Sequence, residues 1–67
     1  MSIGERIATL RIQRKISQTQ LAEAMEVSRQ AVSKWETGAS EPSTSNLLAL
    51  AKLYGVDAGE LLKNVKI

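Results

Sequence analysis

Apolar residues recur along the chain at helical spacing, and no stretch shows the alternation of a strand. Ile3, Ile7 and Leu10 stand four and three positions apart and make one stripe. A first helix is therefore expected from about Ser2 or Ile3 to Lys15. Ser2, with Glu5 three residues later, has the form of a capping box, in which each side chain accepts from the other residue's amide. Ile12 falls off the stripe and is expected to be partly covered at the surface. Ser17-Gln18-Thr19-Gln20 repeats the capping-box form and opens a second helix whose Leu21, Ala22 and Met25 share a face. The pattern breaks at Glu26-Val27. Ser28 can cap a third helix through Val32 and Trp35 to about Thr37, and Gly38 follows where a left-handed closing residue is wanted.

Beyond Gly38 the stretch Ala39-Ser40-Glu41-Pro42 is expected as a loop, because Pro42 has no amide to donate and restricts Glu41. Ser43 or Thr44 caps a fourth helix. Its Leu47, Leu50, Ala51 and Tyr54 fall at i, i+3, i+4 and i+7, the cleanest amphipathic pattern in the chain. Gly55 ends it, and Asp57-Ala58-Gly59-Glu60 opens a last short helix holding Leu61 and Leu62. The expected class is all-α: a single domain over residues 1–67, a compact bundle of five short helices. The second and third are joined by a turn of about three residues, forming a helix-turn-helix at about 18–37.

Composition narrows the chemistry. The chain has 67 residues, and a domain of that size buries only about 60% of the surface its unfolded form exposes. With no cysteine, neither disulfides nor thiolate metal sites can staple it, so helix packing must. Histidine is absent too, which removes the commonest general base and metal ligand. No convergent set of Asp, Glu, Ser or Lys replaces them, so an enzyme is not expected, nor a metal, cofactor or small-molecule substrate. The longest apolar run, Leu47 to Ala51, is far short of the ~20 residues that span a bilayer. Glu5 and the lack of an apolar core argue against a secretory signal. A soluble cytoplasmic protein is expected. The formal net charge of +2 points only weakly to a polyanion. Arg6, Arg11, Arg14, Lys15, Arg29 and Lys34 lie in the first half, where a contact surface could gather them.

The segment Gln18-Thr19-Gln20-Leu21-Ala22-Glu23-Ala24-Met25-Glu26-Val27-Ser28-Arg29-Gln30-Ala31-Val32-Ser33-Lys34-Trp35-Glu36 resembles the helix-turn-helix of the XRE family, which includes phage Cro and repressor proteins. Ile16-Ser17-Gln18 is similar to that family's entry to helix two, and Ser33-Lys34-Trp35-Glu36-Thr37-Gly38 to its exit from helix three. Glu41-Pro42 before a Leu-rich helix, and Leu53-Tyr54-Gly55-Val56-Asp57, extend the likeness to roughly Ile3–Leu62. The resemblance implies a lambda-repressor-like fold. It also implies a buried ion pair between Arg11 and Glu36, from which removal of one partner would cost about 3–5 kcal/mol. One departure stands out. Where the family has glycine in the turn, this chain has Glu26, and a left-handed non-glycine residue costs about 1–2 kcal/mol. A wider or less stable turn is expected.

With Val32 and Trp35 turned inward, the third helix shows Ser28, Arg29, Gln30, Ser33, Lys34 and Thr37 outward. Arg or Lys matches guanine O6 and N7, and Gln matches adenine N6 and N7. The resemblance assigns direct base contacts to Arg29, Gln30 and Lys34, with Ser28 and Ser33 in support. Gln18 is expected at a phosphate, because helix N-termini carry unpaired amides and partial positive charge. Ser17, Thr37, Ser40 and the amides near Gly38 are expected to clamp the backbone beside it. Trp35 is expected in the core and not as a stacking platform. The implied function is sequence-specific binding of double-stranded DNA by a transcriptional regulator, a repressor acting at a palindromic operator. The alternative is an antitoxin or adaptor that uses the same fold for a protein partner. Relatives usually dimerise, with recognition helices about 34 Å apart. Leu48, off the core stripe, and the tail from Leu61 to Ile67 are the candidate contacts for a homodimer; the tail could instead continue into a further segment or fray.

Overall fold

The computed structural model describes residues 2–62, and among these it contains helices and no strand. Four helices of eight to eleven residues carry the fold: α1 (Ile3–Gln13), α2 (Gln18–Met25), α3 (Arg29–Thr37) and α4 (Thr44–Tyr54). The last element, α5 (Ala58–Leu62), is five residues long, little more than one turn. The expected all-helical class is present, with the fifth helix the least developed of the set. Of the tail expected as a dimer contact, Leu61 is instead fully buried in this chain's own core, and residues 63–67 lie outside the described residues.

Each of the four longer helices starts on a serine whose hydroxyl accepts an amide of the first turn. Ser2 accepts from Glu5, Ser17 from Gln20, Ser28 from Ala31 and Ser43 from Asn46, at 3.0–3.2 Å. At α1 and α2 the box closes in return, as the Ser2 amide donates to Glu5 Oε1 and the Ser17 amide to Gln20 Oε1. The Ser2 backbone contact, helped by its hydroxyl, holds the Glu5 carboxyl below the usual carboxylate range.

The helix ends repeat one device. After α4, Gly55 is left-handed at φ 70°, and Val56 and Gly55 donate back to the carbonyls of Ala51 and Lys52. Lys15 does the same after α1 at φ 57°, with Ile16 donating to the Arg11 carbonyl and Lys15 to that of Ile12. The first helix therefore stops at Gln13 and does not reach Lys15, which takes the left-handed position that reverses the chain. Glu26 repeats the pattern after α2, at φ 59° and ψ 41°. Val27 donates to Ala22 at 3.0 Å and Glu26 to Glu23 at 3.2 Å. Glu26 thus takes the left-handed position with both backbone bonds of the turn formed.

Inside, Ile7, Leu21, Val32, Leu50 and Leu61 are fully buried, joined by Ala22, Trp35, Ala51 and Tyr54. Every predicted helix contributes to this set, and each large side chain in it contributes on the order of 1.5–3 kcal/mol. Helix α3 packs against both α1 and α2, while α4 packs against α5. Gly4 allows the first of these contacts. A Cβ there would run into the Trp35 backbone carbonyl, so α1 lies directly on the C-terminal half of α3. Ile12 is 62% exposed, more than the partial cover expected of it.

Tyr54 ties α4 to α1. Its hydroxyl donates to the Ile7 carbonyl at 3.2 Å, and burial pushes its phenol up to about 12, so the donor proton stays in place. Arg14 lies over the ring at 5.0 Å from its centroid and donates from Nε and Nη2 to the Tyr54 carbonyl, closing the end of α4.

Replacing Glu26 by glycine should raise stability by about 1 kcal/mol, since glycine takes positive φ without a Cβ clash. Urea unfolding should show a higher midpoint at unchanged slope. A lower midpoint would contradict the left-handed geometry assigned to the turn.

Candidate nucleic-acid interface

Helix α3 divides cleanly around its axis. With about 3.6 residues per turn, Arg29, Ser33, Thr37, Gln30 and Lys34 fall within one arc of about 140°, while Val32 and Trp35 face the opposite way. Solvent reaches the first set accordingly: Arg29, Gln30, Lys34 and Thr37 are exposed and Ser33 half-buried. Ser28 sits exposed at the N-cap, its oxygen accepting from Ala31 and its proton left for a further partner. The side chains of Arg29, Gln30, Ser33 and Lys34 make no hydrogen bond or ion pair with any described residue. The helix thus offers two cations and an amide on one face, all uncommitted.

What holds that face in position is a polar node behind it. Arg11 of α1 donates from Nε to Glu36 Oε2 at 2.7 Å and from Nη2 to Glu36 Oε1 at 3.1 Å, a two-pronged contact. Its third prong, Nη1, meets the Ile16 carbonyl at 2.9 Å. Gln18, the first residue of α2, donates from Nε2 to Glu36 Oε1 at 3.0 Å. The Glu36 side chain is only 7% exposed and that of Arg11 15%, so three helices meet at a shielded charge pair. Hydrogen bonding to Glu36 raises the Arg11 guanidinium above its ordinary value, which leaves it ionised at any workable pH.

The residues expected at phosphates are placed unevenly. Gln18 and Ser17 stand at the start of α2, and the Gln18–Glu36 bond brings that end beside Glu36 and its neighbour Thr37. Gln18 is not the free ligand expected. One proton of its carboxamide is taken by Glu36 and the Gln20 amide by the Ser17 hydroxyl, which leaves the second carboxamide proton and the amides of Gln18 and Thr19. The Thr37 hydroxyl donates to the Lys34 carbonyl at 3.3 Å. Of the amides near Gly38, that of Gly38 donates to the Trp35 carbonyl and that of Ser40 to the Lys34 carbonyl, each at 3.3 Å, while the Ser40 side chain is exposed. No one surface gathers the basic residues of the first half, because Arg11 is locked in the node, Arg14 is on Tyr54, and Arg6 is also engaged.

Sequence reasoning did not find the Gln18–Glu36 bond or the Arg14–Tyr54 clasp. Both join residues far apart in the chain, and no spacing rule signals them. No group of His, Cys, Asp or Glu among the described residues could hold a metal, and none of their helices is long and apolar enough to cross a membrane.

Truncating Glu36 to Ala should cost about 3–5 kcal/mol in urea unfolding, because Arg11 then stays shielded without its partner. The double replacement Arg11→Met with Glu36→Leu should recover most of that loss. Equal destabilisation by the single and double variants would show that packing, and not the charge pair, sets the cost.

Comparison with known proteins agrees with this geometry. A family model described as helix-turn-helix matches residues 7–61. The HTH-type transcriptional activator BcrR of Enterococcus faecalis is 37% identical over 67 residues, covering all of this chain and 33% of that protein. The HTH-type transcriptional regulator DicA of Escherichia coli K12 is 47% identical over 53 residues, 79% of this chain and 39% of DicA. The chain thus spans about a third of the length of these curated relatives. Among solved structures, the P22 c2 repressor in complex with synthetic operator 9T superposes with a TM-score of 0.87 at 41% identity, covering 94% of this chain and 96% of that one. The solution structure of the DNA-binding domain of the same repressor gives 0.89 at 41% identity, covering 96% and 84%. The chain belongs to the helix-turn-helix family.

Proposed function

We propose that the chain is a sequence-specific binder of double-stranded DNA and acts as a transcriptional regulator by laying α3 in the major groove. The observation that carries this is the unpaired set Arg29, Gln30 and Lys34 on one arc of α3, held out from the core by the Arg11–Glu36–Gln18 node. Support comes from the superposition on a repressor bound to operator. Arg29, Gln30 and Lys34 contact base edges, with Ser28 and Ser33 beside them. Gln18, Ser17 and Ser40 contact phosphates and fix the register, and Thr37 joins them by releasing the Lys34 carbonyl. This polar face lacks the aromatic or aliphatic anchors that the antitoxin or adaptor alternative would need there.

The unit is one domain over residues 1–67, a five-helix lambda-repressor-like bundle working in the cytoplasm. It covers one half-site, so two copies on a palindromic operator account for a full site. Leu48 on the outside of α4 is 57% exposed and is the candidate contact within the described residues.

Duplex affinity measured by fluorescence anisotropy across a salt series tests the proposal. Binding should fall steeply as salt rises, through release of counterions. Gln18→Ala should weaken operator and random duplex by the same factor and reduce the salt slope by about 1. No binding to any duplex at low salt would overturn the proposal.

A further inference from the structure

The chain has no cysteine, so its oxidisable sulfur is confined to two methionines, Met1 and Met25. Met25 is the last residue of α2 and is followed directly by Glu26, the left-handed residue that turns the chain toward α3. Its side chain is half-buried and packs against the core cluster. It also lines an open groove of about 300 Å³ between α2 and α4, together with Ala24, Ala49 and Leu53 and the charged Glu26 and Lys52. The same thioether thus takes part in core packing and stays open to a reagent arriving from water. Trp35 and Tyr54, the two aromatic side chains an oxidant could attack, are buried.

We infer that Met25 is an oxidative modification site, at which a peroxide converts the thioether to a sulfoxide and loosens the helix-turn-helix corner. The functional consequence, release from a duplex, rests on the DNA-binding role proposed above. In the step, a sulfur lone pair attacks one peroxide oxygen as the O–O bond breaks. An S–O bond forms, and the other oxygen leaves as water after proton transfer. Sulfur loses two electrons and the peroxide gains them. The product is polar where the thioether was apolar, and reduction restores it. The side chains of Ala24, Ala49 and Leu53 carry no hydrogen-bond donor, so the new oxygen finds donors in water or at the Lys52 ammonium. Either choice draws the side chain outward and away from its core contacts, because leaving the oxygen buried and unpaired is costly. The end of α2 that loses this anchor carries the left-handed Glu26 and leads into the Ser28 cap of α3.

The test treats the wild-type chain and Met25→Leu with hydrogen peroxide, followed by peptide mass mapping, urea unfolding and duplex anisotropy at one salt concentration. Leucine is close to methionine in volume and keeps the packing without a sulfur. Both proteins retain Met1 and Trp35, so the difference between them isolates Met25. Before treatment the two should unfold at similar midpoints and bind duplex alike. After treatment the wild type should carry one added oxygen at Met25, lose about tenfold in its folded-to-unfolded ratio and bind duplex more weakly. Met25→Leu should change in neither respect. A methionine sulfoxide reductase should then return the wild type to its starting values. Met25 left unoxidised under conditions that oxidise Met1 overturns the inference. So does a sulfoxide at Met25 that leaves the unfolding midpoint or the duplex affinity unchanged, and so do equal losses in the two proteins. If the untreated chain binds no duplex, the DNA-binding role falls, and the mass and unfolding results alone decide whether oxidation loosens the corner.

Discussion

One shielded carboxylate organises the molecule. Glu36 receives Arg11 from α1 and Gln18 from α2 while itself belonging to α3, so the relative placement of the first three helices converges on two oxygen atoms. Val32 and Trp35 seat α3 on the core, and the polar contact adds a directional constraint to that packing. A charge-assisted, two-pronged contact tolerates far less rotation, since its strength depends on direction as well as distance. Gly4 acts in the same sense by letting the α1 backbone rest on the α3 carbonyls. The consequence appears on the opposite side of α3, where the outward arc is presented at one angle.

Charges in this chain are accordingly divided between two duties. Arg11 and Arg14 work inward, one on Glu36 and the other on the ring and carbonyl of Tyr54. Arg29 and Lys34 are left facing water. With a net charge of only +2, the chain has no broad basic field, so attraction to a polyanion must be concentrated where unpaired cations sit together. That concentration favours a contact chosen by shape and hydrogen bonding over diffuse association with any anionic surface.

Much of this was legible in the sequence, for identifiable reasons. The serine caps and the apolar stripes are local signals: α1, α2 and α3 begin on the serines that the spacing indicates, and α4 on Ser43, one of the two residues it left open. Arg29, Gln30 and Lys34 share an arc because helical periodicity alone places them there. Long-range polar partners were another matter. Gln18 looked like an open first-turn glutamine, yet its amide is half occupied by Glu36 eighteen positions away. Lys15 looked like the end of a helix, yet it closes the turn after one. Glu26 looked like a source of looseness, but the two backbone bonds behind it keep the corner tight at the expense of one strained torsion. In each case the deciding contact comes from tertiary geometry and has no residue pattern of its own.

The central claim, that the node behind α3 fixes a groove-reading surface in front of it, is tested most directly by following backbone amide resonances while a duplex operator is added. The account predicts the largest shifts at Ser17, Gln18, Ser28 to Gln30, Ser33, Lys34 and Ser40, with the indole of Trp35 and the outer side of α1 around Ile12 nearly unmoved. Dominant shifts along the exposed side of α4, at Leu48 and Leu53, with α3 silent, would contradict it.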